Sequence, residues 1–315
     1  MPTHVIFDTD AGTDIDDLYA LALILNHPNL NLLGVTTVSG DTQARARLVA
    51  KMLRLADRPD VPVAAGIEVP DVLAKQGVDA ASYKRLTHTD LVETDDPEYG
   101  QTYDDAIDFI LGQLDKAETP ITIVATGQWT NVAEVLRRAN ERQISMIADL
   151  ALMGGEVHLL HMGSNVKSDP EAADFILKQG VPTFLATWSI SRQLEFPMAE
   201  VRAMTRESSS PFVQALRAAT DAWWGDGMTH KPGPVCYDVI PVFWAAGERE
   251  AISCIKLDEI PVELNGTYTR GMMVVHPWKR MSAEEVSSTA REYMTLTDAI
   301  DVETLKERYI DLVFR

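Results

Sequence analysis

The stretch "VIFDTDAGTDIDDLYALAL", Val5 to Leu23, sets Asp8, Asp10, Asp14, Asp16 and Asp17 close together between two apolar runs. Like charges at that spacing repel. A chain keeps them together only for a helix start that uses them or for a cation that sits among them. His4–Asp8 is β-rich and "DDLYALALIL" is built of helix formers, so the cluster falls between the end of a strand and the start of a helix. Asp14 or Asp16 serves such a helix as a cap, and others favour its positive N-terminal end. Capping does not account for five, because each cap contributes only about 0.5–2 kcal/mol. A hard divalent cation resolves the conflict, since calcium takes about six to eight oxygen ligands.

Strand-like and helix-like runs alternate along the chain. "LNLLGVTTVSG" reads as a strand, and "DTQARARLVAKMLRLA" as a helix with Leu48, Met52 and Leu55 at helical spacing. "PVAAG", "PITIVATG", "ADLALMGG" and "PTFLAT" read as strands. Between them lie helices in "YDDAIDFILGQL", in "TNVAEVLRRAN" with Thr130 or Asn131 as N-cap, and in "DPEAADFILKQG" between Pro170 and Gly180. "IPVELNGTYTRGMMVVH" reads as a hairpin around Asn265–Gly266, and a last helix covers about Asp301–Leu312. The fold class expected is α/β, with a mostly parallel central sheet, helices on both faces and a small C-terminal β-hairpin. In such sheets ligands bind beyond the carboxyl ends of the strands. Asp8–Asp17, Thr126–Gly127 and Gly154–Gly155 all follow predicted strands, so three segments converge on one rim.

Composition narrows the class further. A chain of 315 residues that is 46% hydrophobic has material for a large core, and with no low-complexity linker it reads as a single domain, 1–315. A net charge of −19 argues against binding nucleic acid polymer or an anionic membrane. Cys236 and Cys254 are too few for a disulfide scaffold. The start "MPTHVIFDTD" lacks a signal peptide's basic and apolar regions, and no run reaches the roughly 20 apolar residues of a membrane span. A cytoplasmic protein is expected.

Three motifs compete for the aspartates. An EF-hand counted from Asp8 fails, with Gly12 at the fifth position and Tyr19 at the twelfth. A haloacid-dehalogenase-like phosphatase would use Asp8 as nucleophile with magnesium, but Ala11 interrupts its Asp-x-Asp-Gly-Thr pattern and the later acidic run stays unexplained. The third fits best. "DTDAGTDIDDLYALAL" resembles the signature of the inosine–uridine-preferring nucleoside hydrolase family, with two extra residues before the Asp16–Asp17 pair. "VATGQWTNVAEVL", "LMGG", "SNVKSDPEAADFIL", "YDVIPVFWA" and "VELNGTYTRGMMVV" resemble its later segments, in order, as far as Val275.

The resemblance implies calcium-dependent hydrolysis of a ribonucleoside to ribose and free base, in nucleoside salvage, by a homo-dimer or homo-tetramer. A catalytically silent calcium- or ribose-binding homologue is the other class it leaves open. By resemblance Asp10, Asp17 and Asp238 supply carboxylates to the metal, Asp17 through both oxygens, and Thr126 supplies its backbone carbonyl. Asp10 also takes the proton from water, Asp16 holds a ribose hydroxyl, and Asn165 holds the sugar edge. Asp8 supports Asp10 or a helix-end amide from behind. Asp14 is then a loop residue, solvated or capping. Two departures touch the substrate: Tyr237 stands where many members carry a His that protonates the leaving base, and Gly163-Ser164 stand where an acidic residue and an aromatic are common. Tyr237 is therefore a pocket wall or hydrogen-bond donor rather than the essential acid. Help for the base is expected from His88, from His161 on the loop after Gly154–Gly155, and from Trp223, Trp224 and His230 on a lid-like segment.

Overall fold

The computed structural model describes residues 2–83, 86–87, 102–103, 105–275 and 294–315. Nine strands form one sheet: β1 (Thr3–Thr9), β2 (Leu30–Thr37), β3 (Val63–Ala65), β4 (Thr102–Tyr103), β5 (Ile121–Ala125), β6 (Ile147–Met153), β7 (Thr183–Ala186), β8 (Ile252–Leu257) and β9 (Met294–Ile300). Their order is β4-β3-β2-β1-β5-β6-β7-β9-β8, and every pairing is parallel except β8 on β9.

The period-two geometry of a strand splits the core. Val5 and Phe7 of β1 enter one apolar cluster while Ile6 enters the other. The first cluster takes in α1 (Asp16–Asn26), α2 (Thr42–Leu55) and the helices Pro211–Trp223, Val239–Ala245 and Val302–Val313. The second takes in Ala106–Lys116, Thr130–Arg138 and Pro170–Ile176. A sheet covered on both faces explains why its central strands β5 and β6 are largely apolar.

The chain runs from β1 outward to β2, and later returns to β1's other side with β5. The strand order therefore reverses between β1 and β5, the place where open α/β sheets leave a crevice. Both strands end there, β1 at Thr9 ahead of Asp10 and β5 at Ala125 ahead of Thr126.

Some local expectations change. The helix Thr130–Arg138 has Trp129 as its N-cap, with no side-chain cap bond. Thr130 instead donates to Asp169 at 2.6 Å, and Asn131 donates to Asp8 and to the Thr37 carbonyl, so long-range partners claim both side chains. The 260–275 segment folds back through one antiparallel bridge, Val262 to Met273, and the antiparallel strand pair of the C-terminal region is β8 with β9. Asp169 caps the next helix with Pro170 in its first turn, and Asp301 caps the last one.

Candidate active site

A cavity of about 280 Å³ opens at the β1–β5 switch point. Asp10, Asp14, Asp16, Asp17 and Asp238 line one part of it, with Thr13 and Thr126 beside them; Met153, Ser164, Asn165, Trp188 and Tyr237 line the rest. The ligand oxygens of Asp16, Asp17 and Asp238 lie within 4.8 Å of one another, and all three side chains are buried. The first two open α1, and Asp238 immediately precedes the helix Val239–Ala245.

The loop that carries the aspartates is held from behind. Arg45 of α2 is fully buried, and its guanidinium donates to the carbonyls of Asp10 and Ala11, to the Thr13 hydroxyl and to the Ser39 carbonyl. Thr87 adds bonds to the carbonyls of Gly12 and Thr13. Gly12 sits at φ +111°, outside the range comfortable for other residues. Gly127 has no room for a side chain, because a Cβ there would stand 2.6 Å from Val38 and 3.1 Å from Asp10.

The electrostatics call for positive charge. Burial, and then the charge of Asp10, pushes the Asp17 carboxyl up to about 7, although the hydroxyls of Thr9 and Thr126 and the Arg45 cation pull it back. Burial pushes Asp16 and Asp238 well above the usual carboxylate range, and repulsion from their neighbours adds to it. Arg45 faces Asp10 and Asp17, and Lys231 faces Asp14. Among the described residues, these two cations do not balance the five carboxylates. Hard oxygen donors in such number suit an ion such as calcium or magnesium rather than zinc or copper.

The aspartates take places the sequence reading did not all foresee. Asp14 is a partly exposed loop residue and not the cap of α1, which is Ile15; it lines the cavity with Asp16, and its Oδ1 accepts from the Ile15 N–H. Asp10 lines the same cavity, but the tight carboxylate group is Asp16, Asp17 and Asp238. The Thr126 carbonyl accepts from Asn165 at 2.6 Å, which ties the end of β5 to a residue on the far part of the cavity lining. Asp8 is fully buried under the site, accepts from Thr36 at 2.6 Å and Asn131 at 2.8 Å, and is outside the cavity lining. A phosphatase nucleophile cannot work from there, so that alternative is not favoured.

The base-side expectations change more. Trp223 is 2% exposed and packs in the core; Trp224 donates to the Lys231 carbonyl; His230 is exposed and bonds within its own turn, to Gly227. None of the three lines the cavity. His88 lies outside the described residues. Trp188 does line the cavity, its ring near-parallel to Tyr237 at 6.5 Å. His161 packs on Trp188 at 4.4 Å, and the Arg192 guanidinium stands 4.7 Å from the same ring. Burial, followed by the charges of Asp16 and Asp14, pushes the Tyr237 hydroxyl up to about 12.

Sequence reading missed Arg45 and Trp188, although each left a signal. Arg45 precedes Leu48 and Met52 on the apolar face of α2, where a charge is out of place, and Trp188 follows β7 at the functional rim.

The family described as inosine-uridine preferring nucleoside hydrolase matches the chain over residues 5–307. The pyrimidine-specific ribonucleoside hydrolase RihA of Salmonella paratyphi A is 29% identical over 290 residues, which cover 87% of this chain and 89% of that protein. A solved plant nucleoside hydrolase matches with a TM-score of 0.82 at 20% identity, covering 100% of this chain and 99% of its own. The solved purine-preferring ribonucleoside hydrolase from Gardnerella vaginalis matches at 0.79 and 22% identity, covering 99% and 98%. At such identities the solved structures speak for the fold.

Proposed function

The chain belongs to the inosine-uridine preferring nucleoside hydrolase family and is a nucleoside N-ribohydrolase, and from that premise we propose calcium-dependent hydrolysis of a pyrimidine ribonucleoside. The observation that carries the metal is the group of three buried carboxylates, Asp16, Asp17 and Asp238, gathered within 4.8 Å. Calcium is preferred over magnesium because five carboxylates line one part of the cavity, a set of protein oxygens rather than a mostly hydrated octahedron. Asp10, Asp17, Asp238 and the Thr126 carbonyl would hold it, with Asp16 beside them. When bound, such an ion supplies a template for oxygen ligands and lowers the pKa of water.

The chain's own groups divide the remaining work. Asp10, at the end of β1, takes the proton from the attacking water. Asp16 grips a ribose hydroxyl. Asn165 spends its amide N–H groups on the carbonyls of Thr126 and Met153, so its Oδ1 faces the task of accepting from the sugar. Positive charge builds on the ribose as the glycosidic bond breaks, and the surrounding carboxylates favour that charge. The base lies against Trp188 and Tyr237, and Tyr237 stays protonated at neutral pH as a donor.

A cavity of about 280 Å³ stands at the small end of ligand sites, which suits a nucleoside. The pyrimidine preference rests on relatives that are pyrimidine-specific ribonucleoside hydrolases. Free cysteines at 236 and 254 suit work in the cytosol, and no helix among the described residues is long and apolar enough to cross a membrane. The test is a nucleoside panel followed by reducing-sugar release, with chelator and then with calcium or magnesium restored. Release from uridine or cytidine that chelator abolishes and calcium restores supports the reading. Release unaffected by chelator, or restored by magnesium alone, overturns the calcium assignment.

A further inference from the structure

Glu156 follows the Gly154–Gly155 turn and is 1% exposed, yet it does not line the cavity. Its Oε1 accepts from the N–H groups of Val157 at 2.8 Å, His158 at 2.6 Å and Leu159 at 3.2 Å. Its Oε2 accepts from the Ser189 N–H at 2.8 Å. One carboxylate therefore closes the turn after β6 and, with its other oxygen, grips the segment after β7. Bonds from a charged acceptor to backbone N–H groups are among the stronger ones a protein makes.

The gripped segment carries Trp188. Its own N–H donates to the Gly155 carbonyl at 3.0 Å, so consecutive backbone N–H groups, at 188 and 189, are tied to consecutive residues of the 155–156 turn. The same loop goes on to His161, whose ring packs on Trp188. Glu156 thus joins the loop that carries His161 to the segment that carries Trp188, and Trp188 is the one of these that lines the cavity.

We propose that Glu156 is a positioning residue for the base-facing wall: through the Ser189 bond it fixes Trp188 and so sets which nucleobase the site accepts. This rests on the ribohydrolase reading above. The chemistry offers a clean test, because a carboxylate accepts at both ends and an amide at only one. In Glu156→Gln the side chain keeps either the bonds to residues 157–159 or the bond to Ser189, but never both. Glu156→Ala loses both.

Kinetics with uridine and inosine, and calorimetric affinity for uridine, inosine and D-ribose, separate the possibilities. Glu156→Gln is expected to weaken nucleoside affinity about tenfold, the scale of one charge-assisted hydrogen bond. The uridine-to-inosine ratio of kcat/KM should shift, while D-ribose affinity and the divalent requirement stay as in wild type. Unchanged nucleoside affinity and ratio would overturn the proposal, as would an equal loss for D-ribose, which marks a general structural role. Wild-type protein that turns over no nucleoside would sink the ribohydrolase reading instead, and the calorimetric arm would still decide the positioning role.

Discussion

Arg45 donates from its guanidinium to the backbone carbonyl of Asp10, with no carboxylate as its partner in that contact. The same group reaches Ala11, Thr13 and Ser39, so one buried cation shapes the whole turn that displays the aspartates. Lysine carries the charge but lacks the planar fork. Arg45→Lys should leave at least one buried carbonyl without a donor and cost about 1–3 kcal/mol. Urea unfolding measures that loss, and calcium affinity should fall with it. A variant as stable as wild type, with undiminished calcium binding, would show that the loop holds its shape unaided.

Removing the metal should cost stability as well as rate. An ion that binds only the folded state stabilises it by about 2.7 kcal/mol at a hundredfold excess over Kd. Calcium added to chelator-treated wild type should therefore raise Tm, and Asp17→Asn or Asp238→Asn should blunt the rise. Equal rises in wild type and both variants would place the ion elsewhere.

Asp8 makes the metal-free protein sensitive to pH in a definite direction. Burial raises its carboxyl from 3.8 to about 7, against the opposing hydrogen bonds of Thr36 and Asn131. The folded protein thus holds a proton that the unfolded chain has released. The stability tied to this group is full below about pH 4 and is lost as pH rises through 7, by no more than about 4 kcal/mol. Asp8→Asn retains an acceptor for Thr36 and Asn131 and cannot ionise. In chelator, the variant's advantage over wild type should grow between pH 5 and pH 8, read as urea midpoints. A gap that stays constant across that window would refute the buried proton.

On the reaction itself, Asp10→Asn should keep the fold and lower kcat by at least the roughly 10²-fold typical of losing a general base. Tyr237→Phe should cost less than about tenfold in kcat, since a hydroxyl raised to about 12 is a poor acid at neutral pH. Trp188→Ala should act mainly on KM, by the roughly 1–3 kcal/mol of one stacked base. A dead Tyr237→Phe enzyme that still binds D-ribose would make the phenol the proton donor after all.

The sequence by itself determined the mostly parallel α/β sheet, because strands rich in apolar residues alternate with helices, and a strand buried on both faces reads that way. It also determined that Asp16 and Asp17 open a helix at the end of β1, since five carboxylates in so short a stretch have few other uses. Only the tertiary structure decided which groups share a place. Asp14 joined the cavity lining, Trp223 and Trp224 stayed out of it, and Trp188 entered it. Arg45 became the anchor of a loop 35 positions away, and Glu156 the tie to a segment 33 positions on. Local pattern records which face of an element is apolar. It does not record which distant backbone carbonyl or N–H a buried charge will find, because that is settled when elements far apart in the chain pack and every buried polar group must be paired.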